Sequence, residues 1–133
     1  MNYYIFSDLV IKIKWAYKSH LSSVKVKKNK FAIKFLYILQ KIGVIRGFFF
    51  IEGERVILVY LKYKNGVGCL RDIQLMSKPS KRVYWTLNFL SKNYRRHDFS
   101  TIYILSTSVG LLTQNDVLLS KHFSGEILCK IKI

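Results

Sequence analysis

The last quarter of the chain reads Ile102-Tyr103-Ile104-Leu105-Ser106-Thr107-Ser108-Val109-Gly110, four apolar residues followed at once by three hydroxyl side chains. The apolar run predicts a strand. Hydroxyls are poor core material but good hydrogen-bond donors, and glycine lets another backbone come close. A helix signal follows, and Ser124-Gly125-Glu126 then opens a final predicted strand, Ile127 to Ile131. The chain end is therefore predicted as strand, short helix and strand, with polar groups at the strand ends.

Two amphipathic helices are predicted near the N-terminus. Asp8 and Lys12 form an i,i+4 pair in the first helix. Asn29 predicts the N-cap of the second helix, and Gly43 predicts its end. Val24 to Lys27 alternates as a short edge strand between them. The predicted apolar stripes are Ile5, Leu9 and Ile13 in the first helix, and Phe31, Phe35, Ile38, Leu39 and Ile42 in the second.

Further strands follow the second helix. Phe48–Ile51 and Val56–Tyr63 predict a hairpin, and Cys69–Leu75 predicts another strand. The run Asn65-Gly66-Val67-Gly68 lacks the third glycine and the following helix of a phosphate-binding loop, so it predicts a plain turn.

The single proline, Pro79, marks the predicted boundary between two lobes. A short helix is predicted from Trp85 to Leu90, and Thr113 with Asp116 resembles a capping box at a later helix. The expected fold class is therefore α+β with two small lobes. Residues 1–78 would form a lobe of helix, strand, helix and strands, and residues 79–133 a lobe of strand, helix and strand.

The charge of the chain is strongly positive and unevenly placed. Its 133 residues carry a formal net charge of +16, with no acid from Leu9 to Ile51 or from Ile73 to His97. Such unopposed fields repel one another within a folded monomer, so they favour a polyanionic partner, above all nucleic acid. A membrane surface, an acidic protein or a merely solvated basic face is the alternative at this point. Half of the residues are hydrophobic, which argues against disorder.

Four blocks of this sequence resemble the universal small-subunit ribosomal protein S-eight family. The family hallmark is a Ser-Thr-Ser-x-Gly loop, matched by Ser106 to Gly110, and a Gly-Gly-Glu strand start, where Ser124 replaces the first glycine. Ser77 to Tyr84 resembles the Ser-Arg-Pro-Gly-x-Arg-x-Tyr segment of the family, with Ser80 replacing glycine. The opening helix from Ser7 to Lys14 and the second helix after Asn29 complete the match. Val109 departs from the usual lysine of the loop.

The resemblance implies a structural protein that binds the central domain of small-subunit rRNA directly and abuts neighbouring ribosomal proteins. Lysine and arginine would attract phosphate, the hydroxyls and the backbone at the two glycines would make directional bonds, and an aromatic ring would stack on a base or ribose. Glu126 could instead shape the hydroxyl loop internally, and Tyr84 could simply pack in a strand. The residues expected to contact RNA are Lys12, Lys14, Asn29, Lys30, Lys78, Arg82, Tyr84, Ser106, Thr107, Ser108, Gly110, Gly125 and Glu126.

Other function classes fit the sequence less well. The three histidines lie in separate polar segments away from cysteines and paired carboxylates, so neither catalysis, nor a metal site, nor any cofactor is expected. Cys69 and Cys129 are expected to be buried free thiols. A basic peripheral membrane protein would need an amphipathic cationic helix, to which Trp15 with its neighbouring lysines comes nearest. A DNA-binding module would need a recognition helix that carries base-reading side chains.

The composition also bears on the location. The chain is rich in Phe, Tyr, Ile, Asn and Lys, which have A/T-rich codons, and poor in Ala. No membrane span is expected, because no stretch reaches about 18 uninterrupted apolar residues. No signal peptide or transit segment is expected either, because the predicted first helix starts close to Met1. The expected location is a mitochondrial ribosome encoded within the organelle, with a plastid or bacterial cytoplasm as the alternative.

Overall fold

A computed structural model describes residues 3–86, 100–120 and 124–133. The fold is α+β with antiparallel sheets, as predicted, and the chain divides into two compact units, Met1–Arg71 and Asp72–Ile133. The predicted boundary at Pro79 lies further along the chain than this division. The reason is that the strand Asp72–Leu75 pairs with the C-terminal strand and so belongs to the second unit.

Two helices form one layer of the first unit: α1, Tyr3–Lys18, and α2, Lys30–Ile42. They pack through aromatic rings, since the centroid of Phe6 lies 5.1 Å from those of both Phe31 and Phe35. Of the stripe predicted for α1, Leu9 and Ile13 are buried, whereas Ile5 is exposed. Phe6 and Val10 are buried instead. A helix has 3.6 residues per turn, so positions spaced by four residues move gradually around it and Ile5 no longer faces the core.

Both predicted ends of α2 are confirmed. The side chain of Asn29 accepts a hydrogen bond from the backbone N–H of Ala32 at 2.7 Å, which is an N-cap. Gly43 has a left-handed φ of 91°, and its N–H donates to the carbonyls of Leu39 and Gln40. The sequence predicts these ends because caps depend on local chain geometry alone.

A three-stranded sheet of order β1-β3-β2 completes the first unit. Its strands are β1, Ser23–Lys27; β2, Ile45–Phe50; and β3, Val56–Leu61. The predicted edge strand and hairpin are confirmed, although β2 begins earlier than Phe48. Ile57 and Val59 of the central strand are fully buried.

The segment after β3 is a small hairpin of two further strands, β4, Tyr63–Lys64, and β5, Val67–Gly68. Asn65 and Gly66, with φ of 54° and 77°, form the turn between them, which confirms a plain turn. The strand predicted from Cys69 begins only at Asp72, as β6, Asp72–Leu75. Cys69 is instead held to the first unit by a hydrogen bond from its N–H to the carbonyl of Lys62 at 3.0 Å.

Tyr17 ties α1 to this hairpin region. Its buried hydroxyl donates to the carbonyl of Val44 and accepts from the backbone N–H of Lys62 at 3.2 Å. Burial raises the pKa of Tyr17 to about 12. The folded pKa exceeds the ordinary value, so the folded protein favours the neutral Tyr17 side chain. The contribution of buried, neutral Tyr17 to the free energy of unfolding is therefore complete below about pH 10 and is lost as the pH rises through about 12.

Replacing Tyr17 with phenylalanine should lower the free energy of unfolding by about 1–3 kcal/mol, because it leaves buried backbone groups unpaired. Urea denaturation at pH 7 measures this loss. Tyr37→Phe is the matched control, since the Tyr37 side chain is 63% exposed. Equal stability of the Tyr17→Phe and wild-type proteins would contradict this role of the hydroxyl.

The described part of the second unit forms a five-stranded antiparallel sheet. The central strand β10 pairs with β6, β7 and β8, and β8 pairs with β9. The strands not yet given are β7, Tyr84–Thr86; β8, Thr101–Thr107; β9, Gly110–Thr113; and β10, Ser124–Lys132.

Two predictions for this unit are corrected. The hydroxyl run is followed by a hairpin strand, β9, before the helix begins, whereas the sequence pattern predicts no strand there. Trp85 lies in β7 and not in a helix, because β7 pairs with β10 and its ring packs on the core. The rest of the helix predicted as far as Leu90 lies outside the described residues.

Among the described residues of the second unit, one segment is helical: α3, Gln114–Ser120. Its predicted cap is confirmed: the hydroxyl of Thr113 donates to the carboxylate of Asp116 at 3.0 Å and accepts from its backbone N–H at 3.4 Å. Val117 of α3 packs with Tyr103, Leu105 and Ile127 in a buried cluster. One face of the sheet is thereby fixed as core, which sends alternate residues to the other face.

Candidate nucleic-acid interface

Three adjacent strands of the second unit bring predicted site residues into one row. Glu126 of β10 lies directly opposite Tyr84 of β7 on one side and Ser106 of β8 on the other. Directly opposed residues of antiparallel strands share a face of the sheet. The next residues along, Leu105 and Ile127, belong to the core cluster. The row therefore lies on the face opposite that cluster.

The hydroxyl run itself divides into an internal part and an exposed part. The hydroxyl of Thr107 donates to the carbonyl of Gly110 at 2.9 Å and accepts from the N–H of Val109 at 3.3 Å, so it holds the turn between β8 and β9 together. Gly110 has a φ of 136°, which L side chains rarely adopt. Thr107 and Gly110, both predicted to contact RNA, thus stabilise the turn within the protein.

Ser108 and Tyr84 are directed outward. Ser108 is exposed at the tip of the turn, and its hydroxyl makes no hydrogen bond within the part of the chain that the structure describes. The side chain of Tyr84 is 69% exposed, so packing within its strand does not account for the ring. The exposed hydroxyl in the turn after β8 and the exposed ring on β7, with β10 between the two strands, are suited to hydrogen bonding and stacking with a partner.

Glu126 bonds to an arginine and not to the hydroxyl loop. Nη1 of Arg82 donates to Oε1 of Glu126 at 2.9 Å, and the Glu126 side chain is 18% exposed. This hydrogen bond raises the pKa of the Arg82 guanidinium, so Arg82 stays charged. The carboxylate thus orients a cation beside Tyr84. We call the group Arg82, Tyr84, Ser106, Ser108 and Glu126 the strand-end surface.

Gly125 allows β10 to approach the end of β8. A Cβ at this position would lie 3.2 Å from the carbonyl oxygen of Ser106 and 3.3 Å from Cγ2 of Thr107. These distances are tighter than most real Cβ contacts. Close packing against β8 within the protein is therefore sufficient to require glycine at position 125.

A basic turn precedes the strand-end surface. Lys78 and Lys81 exchange backbone hydrogen bonds of 2.9 and 3.0 Å around Pro79 and Ser80, and both lysine side chains are exposed. The buried hydroxyl of Ser77 accepts from the N–H of Val83 at 2.9 Å and anchors the turn. Lys81 is not among the residues predicted to contact RNA. It lies in the same basic motif as Lys78, and this position in the sequence could have predicted it.

The first unit holds the remaining predicted contacts. Lys12 forms an ion pair of 3.2 Å with Asp8, and Asn29 uses its side-chain oxygen as the cap of α2. Lys14 and Lys30 are exposed. Asp8 partly neutralises the charge of Lys12 and so reduces its attraction for phosphate. Lys30 carries its charge at the first residue of α2.

Metal-binding groups and membrane-spanning helices are absent from the described residues. Within residues 3–86, 100–120 and 124–133, no group of His, Cys, Asp and Glu is placed to hold a metal ion. No helix among them is long and apolar enough to cross a membrane. Both cysteines are free thiols; Cys129 is buried as predicted, whereas Cys69 is only half-buried. Burial raises the pKa of the Cys129 thiol, which makes it a poor nucleophile.

Comparison with known proteins identifies the family of this chain. A family model described as ribosomal protein S8 matches residues 5–131. The small ribosomal subunit protein uS8 of Rickettsia massiliae (strain Mtu5) is 34% identical over 128 residues, 94% of each chain. The small ribosomal subunit protein uS8m of Acanthamoeba castellanii is 35% identical over 127 residues, which cover 96% of this chain and 98% of that relative. The chain therefore belongs to the ribosomal protein S8 family, as the resemblance of its motifs predicts.

Proposed function

We propose that this chain binds the central domain of small-subunit rRNA directly and supports its folding, with the strand-end surface as its main contact. As a member of its family it is a structural, RNA-binding protein of the small ribosomal subunit and not an enzyme. The observation that carries the proposed contact is the row of Tyr84, Glu126 and Ser106 across three strands, with Ser108 exposed beside it.

The residues of the strand-end surface would have distinct roles. The Ser106 and Ser108 hydroxyls would bond sugar, phosphate or base-edge atoms of an irregular RNA helix, and Tyr84 would stack on an unpaired base or ribose. Arg82 would meet phosphate while Glu126 holds it in place. Thr107, Gly110 and Gly125 would shape this surface and offer backbone groups to it. This division explains why an acidic residue stands beside a polyanion.

Basic residues outside this surface would supply sequence-independent attraction. Lys78 and Lys81 would extend the contact from their turn, and Lys12, Lys14, Asn29 and Lys30 would reach RNA backbone from the first unit. Such contacts release counterions, so they add affinity without selectivity. We further propose that neighbouring ribosomal proteins contact the chain in the assembled subunit.

The ribosome concerned would be an organellar one. Support comes from the A/T-rich residue usage and from the similarity to a uS8m protein. The Rickettsia proteins are similar to the same degree, which is compatible with a bacterial ancestry of the organelle gene.

Affinity for central-domain rRNA should fall by at least about tenfold when salt rises from 50 to 200 mM, because several phosphate contacts are made. Lys30→Ala should weaken binding to all RNAs. It should also reduce the steepness of log affinity against log salt by about one, the value for one lost phosphate contact. Lys64→Ala is the matched control, an exposed lysine outside the proposed contacts. Filter binding over a salt series measures both, and an affinity that does not depend on salt would contradict the proposal.

A further inference from the structure

The sheet of the first unit borders two clefts that share a wall. One has a volume of about 500 Å³ and is lined by Gln40, Gly47 and Phe49 among others. The second has a volume of about 740 Å³, and Lys62 is among its lining residues. Arg46 and Tyr60 line both clefts, so each of these side chains can contact a group in either space.

The backbone of β2 creates the space beside Tyr60. The register between β2 and β3 shifts between Ile45 and Gly47, so Arg46 is an extra residue in a bulge. Gly47 then lies directly opposite Tyr60 and places no side chain next to its ring. A Cβ on Gly47 would have Nε2 of Gln40, at 3.9 Å, as its nearest neighbour. The bulge thus supplies a cation, and the glycine leaves room for a planar group.

The clefts combine aromatic walls with positive charge. The rings of Phe49 and Tyr60 lie 5.5 Å apart in an edge-to-face arrangement, and Phe49 is 62% exposed. Arg46 and Lys62 are exposed cations at the clefts. No carboxylate occurs among the described residues that line either space.

The same sheet face continues as a basic surface. Ser23 of β1 lies opposite Tyr60 of β3, so its alternate neighbours Lys25 and Lys27 share the face of that ring. Both lysines are exposed. A surface of aromatic rings within a field of cations without acids complements nucleic acid, whose bases stack and whose phosphates are negative.

We propose that these clefts hold an unpaired nucleotide of the bound RNA. Its base lies against Tyr60 and Phe49, the Gln40 amide reaches the base edge, and its phosphate meets Arg46 and Lys62. This inference rests on the proposed function in requiring an RNA partner, but it uses a surface separate from the strand-end surface. A protein segment would satisfy the aromatic walls but leave the cations without their complement, so RNA is the occupant that the charges favour.

Fluorescence anisotropy with labelled hexauridylate at low salt tests the site on the full chain. Tyr60→Ala and Gly47→Val should each weaken binding by about tenfold, the first by removing the stacking surface and the second by filling the cleft without a change of charge. Tyr4→Ala is the aromatic control, because Tyr4 is 77% exposed and outside both clefts. Arg46→Gln should weaken binding more than Arg71→Gln, which removes an exposed arginine elsewhere in the same unit.

The outcomes separate the two proposals. Loss of hexauridylate binding in the cleft variants supports the nucleotide site even if strand-end variants leave rRNA affinity unchanged, and such a result would overturn only the proposed main contact. Equal losses in the cleft and control variants, or unchanged binding in folded Arg46→Gln and Gly47→Val proteins, would overturn the nucleotide site. A ribosome map with a protein segment in the clefts would overturn it as well.

Discussion

Replacing Tyr84 with alanine should weaken the binding of central-domain rRNA by about 5- to 150-fold, equivalent to about 1–3 kcal/mol for one lost base stack. The ring is 69% exposed, so its removal withdraws little buried surface from the protein. Isothermal titration with a central-domain rRNA fragment measures the change, and thermal melting checks that the fold is retained.

Tyr37→Ala is the control for this variant, because Tyr37 is 63% exposed and lies on α2 of the first unit, which contributes no residue to the strand-end surface. It should bind rRNA as the wild type does. Equal affinity of Tyr84→Ala and wild-type proteins would show that Tyr84 does not stack on RNA.

Ser108→Ala should cost about 1–3 kcal/mol of rRNA binding, because a polar group of the RNA loses its partner at a desolvated contact. Selectivity for the cognate helix over a mismatched one should fall as well. The salt dependence should stay the same, because no charge is removed. Competition binding with the two helices at several salt concentrations measures all three quantities.

Thr107→Val provides the contrast. This substitution removes the hydroxyl that bonds Val109 and Gly110 within the turn, so it should lower the melting temperature, whereas Ser108→Ala should not. Unchanged selectivity in a stably folded Ser108→Ala protein would reduce the hydroxyl run to a structural turn.

Local features of the fold are predictable from the sequence. The Asn29 cap, the Gly43 stop and the Thr113–Asp116 cap all depend on residues within one helical turn, and the structure confirms each. Apolar periodicity likewise predicts both N-terminal helices. The pattern is less informative where a short apolar run suits either a helix or a strand.

The corrected elements are those decided by distant pairing. Trp85 forms a strand because β10, far along the chain, supplies its hydrogen-bond partners. Strand β9 is a run of four residues, too short for alternation to reveal, and it exists because Gly110 turns the chain back along β8. The β6 start at Asp72 is similarly fixed by the C-terminal strand.

The candidate site shows the same distinction. The motif Ser106 to Gly110 is visible in the sequence, but its separation into an internal Thr107 and an exposed Ser108 follows from the hairpin geometry. The bond between Arg82 and Glu126 joins residues 44 positions apart, so no local pattern reveals it. Only the three-dimensional structure therefore shows that Glu126 bonds to Arg82 and not to the hydroxyl loop.

A density map of the small ribosomal subunit from the source organism tests the central claim most directly. The account predicts this chain on the central domain of the rRNA, with the Ser108 hydroxyl within hydrogen-bond distance of RNA and the Tyr84 ring against a base or ribose. A map in which the strand-end surface faces solvent or another protein, or a chain found only outside ribosomal particles, would contradict it.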